Sequence, residues 1–146
     1  MGLLIDTRVL IRVERGLGAK LDFSPWEHYG DAAISVITAS ELLVGVHRAT
    51  PEERRIRRSA SVEAVLAALP TLGITLEIAR VHAELVAALR RQGQTLGANN
   101  AWIAATALAS GYALLTTDVG DFGRVPGLDV LPFDQPATAA GDPTTP

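Results

Sequence analysis

The sequence predicts an α/β domain, a parallel β-sheet of four to five strands with helices on both faces. Three observations carry that prediction. Short apolar runs without polar alternation, such as Gly2–Ile5 and Tyr112–Thr116, have the pattern of strands buried on both faces. Each is followed by a segment of helical character, so strands and helices alternate along the chain. Of the 146 residues, 48% are apolar, which is enough to build the core of one domain.

The elements follow in chain order. Gly2–Ile5 is the first strand, and residues 9–15 read as a short helix stopped near Gly16 and Gly18. Ser24-Pro25-Trp26-Glu27 reads as a capped helical turn, and residues 32–37 as a second buried strand. Thr38-Ala39-Ser40-Glu41 has the spacing of a capping box and opens a helix to about Arg48. Thr50-Pro51-Glu52-Glu53 opens the next, with Pro51 at the first helical position, and it runs to about Leu69. Residues 71–76 form a third strand. Residues 77–91 form an amphipathic helix, with Ile78, Val81, Leu85 and Leu89 on one stripe. Gly93 and Gly97 bracket a loop, and residues 100–110 form a helix that ends at Gly111. Tyr112–Thr116 is a fourth strand and residues 128–131 a fifth. The domain is expected to span residues 1–134. The tail, residues 135–146, is rich in Pro, Ala, Thr and Gly and is expected to be loose.

Composition narrows the chemistry. There is no cysteine, so disulfides and thiolate metal sites are excluded, and a reduced cytoplasm is the expected location. A net charge of −3 neither marks nor excludes a nucleic-acid binder, because local charge can oppose the net. No run approaches the roughly 20 apolar residues of a membrane span. The opening MGLLIDTRVL lacks a basic region ahead of a long apolar stretch, so it reads as a strand and not as a secretory signal.

In a parallel α/β sheet, ligands gather at the carboxyl ends of the strands. Asp6 follows the first strand, and Glu41 lies just inside the helix after the second. Asn99 and Asn100 open the last long helix, and Asp118 and Asp121 follow the fourth strand. Carboxylates brought together repel unless a cation sits among them. Oxygen donors without Cys or clustered His favour Mg²⁺ or Mn²⁺ over zinc. Each residue also has a plainer reading: Asp6, Asn99 and Asp118 as caps, Glu41 as the capping-box partner of Thr38. Rival acidic sites are disfavoured by what is missing. The only lysine is Lys20, Arg8 stands where a dehalogenase-type phosphatase has its second Asp, and no glycine-rich phosphate loop follows a strand.

Four segments together resemble the PIN-domain proteins, specifically the VapC toxins of bacterial type II toxin–antitoxin pairs. They are "LLIDTRVLI", "ITASELLVGVHRA", "GANNAWIAATALASGYALLTTDVGDF" and "VPGLDVLPF", and their order and spacing match along nearly the whole chain before the tail. The resemblance implies a metal-dependent endoribonuclease, a cognate VapB-type antitoxin and a homodimer. The family's acidic positions fall on Asp6, Glu41, Asn100 and Asp118, with Asp121 as an auxiliary ligand or structural acid. Two departures stand out. The third acidic position is Asn100 where the family usually has aspartate, and Arg8 stands where it more often has Ser or Asn.

The expected chemistry is hydrolysis of RNA phosphodiesters with one or two Mg²⁺ or Mn²⁺ ions on Asp6, Glu41, Asp118 and Asn100. Asparagine keeps the shape of aspartate without its charge, so the chain as written is expected to be catalytically weak. A PIN-like module that binds RNA or antitoxin without cutting is the alternative. Candidate RNA contacts are Arg8, Arg12 and Arg15, and the "RRIRR" run that includes Arg54 and Arg55, whose plainer reading is a solvated helix face. Trp102 is assigned to core packing, and His28, His47 and His82 to structural or surface positions. Leu42, Leu43, Val46, Ile56, Val62 and Leu66 offer apolar faces for core or partner.

Overall fold

The alternation of apolar runs and helices resolves into one sheet in the computed structural model, which describes residues 1–15 and 22–133. The expected helix stop at Gly16 and Gly18, the loop holding Lys20, the boundary at residue 134 and the tail 135–146 lie outside the described residues. The five strands are β1 (Gly2–Ile5), β2 (Ala32–Ser35), β3 (Thr71–Leu72), β4 (Tyr112–Thr116) and β5 (Val130–Pro132). All pair in parallel, in the order β3-β2-β1-β4-β5. The helices are α1 (Thr7–Arg15), α2 (Val36–Arg48), α3 (Glu52–Ala68), α4 (Leu76–Arg91), α5 (Ala98–Ser110) and α6 (Val119–Phe122), with a 3₁₀ turn at Ser24–Tyr29.

Successive side chains of a strand point to opposite faces, and both faces are covered, which is why these strands are largely apolar on both. Leu3, Ile5, Ile34 and Leu115 pack against Val9 and Leu10 of α1, Leu42 and Val46 of α2 and Val62 of α3. Leu4, Ala33 and Leu114 pack on the other side against Leu85 and Leu89 of α4, Ile103 and Ala104 of α5 and Phe122 of α6. Leu4, Ile5, Leu114 and Leu115 are fully buried, and each such side chain contributes about 2 kcal/mol by leaving water. Ala101, Ala104, Ala105 and Ala107 are buried along α5, and their small size lets that helix lie close to the layers around it.

The strand order reverses between β1 and β4. Chain connections leave in opposite directions from those two neighbours, so a crevice opens at their carboxyl ends. Asp6 and Asp118 flank that crevice.

Several boundaries differ from the sequence reading. α2 begins at Val36, and its cap is Ser35, whose Oγ accepts the Ile37 N–H at 3.1 Å. β2 therefore stops at Ser35, and Thr38 and Glu41 are helix-interior residues, not a capping box. β3 is only two residues long, because the register with β2 runs out at Ser35 and Leu72. Thr75 then caps α4 by accepting the Ile78 N–H at 3.2 Å. α5 starts at Ala98 with Gly97 at the cap position and no side-chain cap, so Asn99 is an exposed first-turn residue and not a cap. α1 begins at Thr7 rather than residue 9, and α3 at Glu52, with Pro51 as its flanking residue. α6 has no counterpart in the sequence reading beyond a turn.

Candidate active site

Asp6 leaves the end of β1 almost fully buried, its backbone N–H fixed to the Leu115 carbonyl of β4 at 2.9 Å. Its Oδ2 accepts the Thr116 hydroxyl at 2.8 Å. The same Thr116 oxygen accepts the Asp118 backbone N–H at 2.9 Å. Thr116, fully buried at the end of β4, thus holds one carboxylate through its proton and the backbone of a second through its lone pair.

A second threonine pair builds the other side. The Thr7 hydroxyl donates to Glu41 Oε1 at 2.8 Å and lies 3.0 Å from the Thr38 hydroxyl. An ionised carboxylate only accepts, so the single Thr7 proton belongs to Glu41 and Thr38 donates to Thr7. The start of α2 is therefore locked onto the start of α1. Thr38 lies one turn before Glu41, which puts both side chains on the same helix face.

Asp118 caps α6, accepting the Asp121 N–H on Oδ1 at 3.1 Å. Its Oδ2 accepts a hydrogen bond from the Arg8 guanidinium. Arg124 hydrogen-bonds Asp121 Oδ1 and also the Thr95 carbonyl, the latter at 3.1 Å. That bridge ties the segment entering α5 to the β4–α6 turn. Asn100 is half-buried in the first turn of α5; Gly111 turns α5 back into β4, so this turn lies toward the carboxyl end of β4.

The electrostatics follow from burial. Burial pushes the Asp6 carboxyl above its ordinary value; the Thr116 hydroxyl, the Arg8 charge and the Thr7 backbone pull against it, and nearby Glu41 adds to the rise. Burial also acts upward on Asp118, but the Asp121 backbone N–H and the Arg8 guanidinium outweigh it and hold that carboxyl below the usual range.

The donor set consists of three carboxylates and one carboxamide, all hard oxygen, and this chemistry suits Mg²⁺ or Mn²⁺. The arrangement is less closed than the chemistry. Among the described residues no three His, Cys, Asp or Glu side chains gather as a cation cage. The third acidic position is the uncharged Asn100, and Asp118 is engaged by Arg8.

The other expected residues separate. Arg12 donates to the Phe133 carbonyl at 3.2 Å and so ties α1 to the end of β5. The side chain of Arg15 lies outside the described residues. Arg55 pairs with Glu52 at 3.2 Å and Arg58 with Glu14 at 3.3 Å. Arg54 is exposed on α3. Arg55 lines a groove beside His47, which is six residues past Glu41, about 9 Å further along α2. The run therefore lies away from the acidic cluster, and Arg8 is the arginine within it. Asp121 pairs with Arg124. Trp102 is half-buried, not core: its ring stacks on His82 with centroids 3.6 Å apart, on the α4–α5 seam. Leu42, Val46 and Val62 enter the core, while Leu43 and Ile56 stay exposed.

The sequence reading passed over Thr7, Thr116 and Arg124 and gave Thr38 only a capping role. No local signal marks the threonines: Thr7 sits beside Asp6 but bonds Glu41, and Thr116 sits two positions before Asp118 but donates to Asp6.

The strand order and the acids at its reversal define the class: the chain belongs to the PIN-domain family, whose profile matches residues 3–128. It is 43% identical over 131 residues to Ribonuclease VapC1 of Rickettsia felis (strain ATCC VR-1525 / URRWXCal2), across 90% of this chain and 96% of that protein. It is 34% identical over 128 residues to Ribonuclease VapC4 of Mycobacterium tuberculosis (strain ATCC 25618 / H37Rv), across 88% and 94%. Within the PIN-domain family, the chain belongs with the VapC proteins. Among solved structures it is similar to VapBC-5 from Mycobacterium tuberculosis, a member of the VapBC family of toxin-antitoxin systems. That match has a TM-score of 0.70 and 32% identity over 90% of this chain and 97% of that one. VapBC2 from Rickettsia felis, bound to a DNA fragment from its promoter, shares the fold with a TM-score of 0.80 and 21% identity, over 92% and 100%.

Proposed function

We propose that this chain is the toxin of a type II toxin–antitoxin pair, an endoribonuclease that uses Mg²⁺ or Mn²⁺ at Asp6, Glu41, Asp118 and Asn100. The observation that carries the reading is the placement of Asp6, Glu41 and Asp118, from three separate elements, around the β1–β4 reversal of a VapC-like chain, with Thr7 and Thr116 linking them. A divalent cation in such a set lowers the pKa of a water and neutralises charge that builds on the phosphate. The chain's own part is positional. Thr116 orients Asp6, Thr7 orients Glu41, and the buried end of β1 keeps Asp6 out of bulk water.

Asn100 presents an amide oxygen but neither a full charge nor a proton acceptor. A site that lacks one stabiliser of this kind turns over about 10²-fold more slowly. The test is RNA cleavage by the native chain and Asn100→Asp in Mg²⁺ or Mn²⁺, with EDTA controls. Asn100→Asp is expected to cut about 10²-fold faster. Equal rates, or cleavage insensitive to EDTA, would refute the mechanism. The same Asn100 and the Arg8–Asp118 pair favour one second reading, a non-cutting binding module; retained RNA binding without cleavage in both proteins would select it.

A VapB-type antitoxin is the proposed partner. Supporting it is the groove between α2 and α3, lined by Val46, Ile56 and Ala60, with Leu43 and Val44 exposed on α2. A homodimer belongs to the same reading, with Ile74 and Leu76 as exposed apolar side chains at the start of α4. Among the described residues no helix is long and apolar enough to cross a membrane.

A further inference from the structure

We propose that Arg8 is the resident counter-cation of the acidic cluster, and that it competes with a divalent metal ion for Asp118. The inference rests on the metal-site reading given above and deepens it. Both Asp118 oxygens are already engaged: Oδ1 holds the Asp121 N–H, and Oδ2 holds Arg8. The protein therefore satisfies this carboxylate from within. A metal that takes Oδ2 meets a guanidinium already on that oxygen, and the like charge opposes it.

Displacement is within reach because the pair is open to water. The Arg8 side chain is 54% exposed, while Asp118 is 17% exposed. Exposed ion pairs contribute little to stability, so the guanidinium can turn outward at small cost. Arg12, one turn on, cannot take its place, because it is anchored on the Phe133 carbonyl. Arg8 also lies opposite Asn100 in charge terms. One position of the cluster lacks a negative charge and another adds a positive one, and both changes lower the attraction for a divalent ion. Once released from Asp118, Arg8 stands at the mouth of the cluster, where an RNA phosphate would approach.

The test is Mn²⁺ binding to the full chain, followed by electron paramagnetic resonance of the free ion at low salt. Four proteins are compared: native, Arg8→Gln, Arg8→Lys and Glu41→Gln. Removing one positive charge several ångströms from a divalent ion in a water-like dielectric strengthens binding by about tenfold. Arg8→Gln is therefore expected to bind Mn²⁺ about tenfold more tightly than native, with the gain shrinking as salt rises. Arg8→Lys keeps the charge and is expected to stay within about threefold of native. Glu41→Gln is expected to lose Mn²⁺ binding. If Glu41→Gln weakens Mn²⁺ while Arg8→Gln leaves it unchanged, the role of Arg8 is overturned and the metal site stands. If Glu41→Gln binds as the native chain does, the metal-site reading itself is overturned.

Discussion

Thr116→Val removes a hydroxyl that serves two masters and leaves the shape of the side chain intact. Thr116 is fully buried, donates to Asp6 Oδ2 at 2.8 Å and accepts from the Asp118 N–H at 2.9 Å. A hydrogen bond to an ionised group is worth about 1.5–3 kcal/mol, and an orphaned backbone N–H costs about 1 kcal/mol or more. Valine opens no cavity, so the expected loss is about 3 kcal/mol from a typical total of about 5–15 kcal/mol. For a domain of this size that is a fall in Tm of about 10 °C.

The pH dependence has a fixed sign. The Thr116 bond pulls against burial at Asp6, so its removal raises the folded-state pKa of Asp6 further. The charge-dependent part of the loss is complete above the variant's Asp6 pKa. It disappears below the native folded value, where Asp6 is protonated in both proteins. Urea denaturation of native, Thr116→Val, Asp6→Asn and the double variant, at neutral and acid pH, measures each part. A loss below about 1 kcal/mol at pH 7, or the same loss in the Asp6→Asn background, would refute the assigned coupling.

Three further outcomes follow from the same coordinates. Gly111 ends α5 at φ 68° with nothing within 4 Å of an added Cβ, so Gly111→Ala should cost about 1 kcal/mol in urea denaturation from backbone conformation alone. Burial lowers the His82 pKa, so protonating this imidazole against Trp102 disfavours the fold as pH falls below the ordinary histidine value. His82→Gln should flatten stability between neutral and mildly acid pH and abolish the matching titration in tryptophan fluorescence. Arg124→Ala cuts the link between Thr95 and Asp121, both at the surface, so global stability should fall by less than about 1 kcal/mol. Hydrogen exchange in residues 95–100 and 118–124 should nevertheless quicken, and unchanged exchange there would sink the bridging role.

The fold class was legible because burial on both faces of a parallel sheet leaves a local mark. Leu3, Leu4 and Ile5 must all be apolar, whichever helices cover them. The placement of Asp6 and Asp118 was legible for a related reason: each follows a strand end, and strand ends are visible in the chain. The caps were not. Thr38 and Glu41 have capping-box spacing, yet Ser35 takes the helix start because its Oγ reaches the Ile37 N–H first. Asn99 and Asn100 look like caps, yet Gly97 begins the turn. Several side chains could fill each cap, and packing chose among them.

By itself, then, the sequence determined the alternation of buried strands and helices, with Asp6 and Asp118 just beyond strand ends, Glu41 in the helix after β2 and Asn100 at the start of the last long helix. Only the tertiary structure decided what those residues hold. Thr7 meets Glu41 across 34 positions, and Thr116 meets Asp6, and Arg8 meets Asp118, across 110. No local pattern encodes such pairs, because a side chain's partner depends on how two distant elements pack against one sheet.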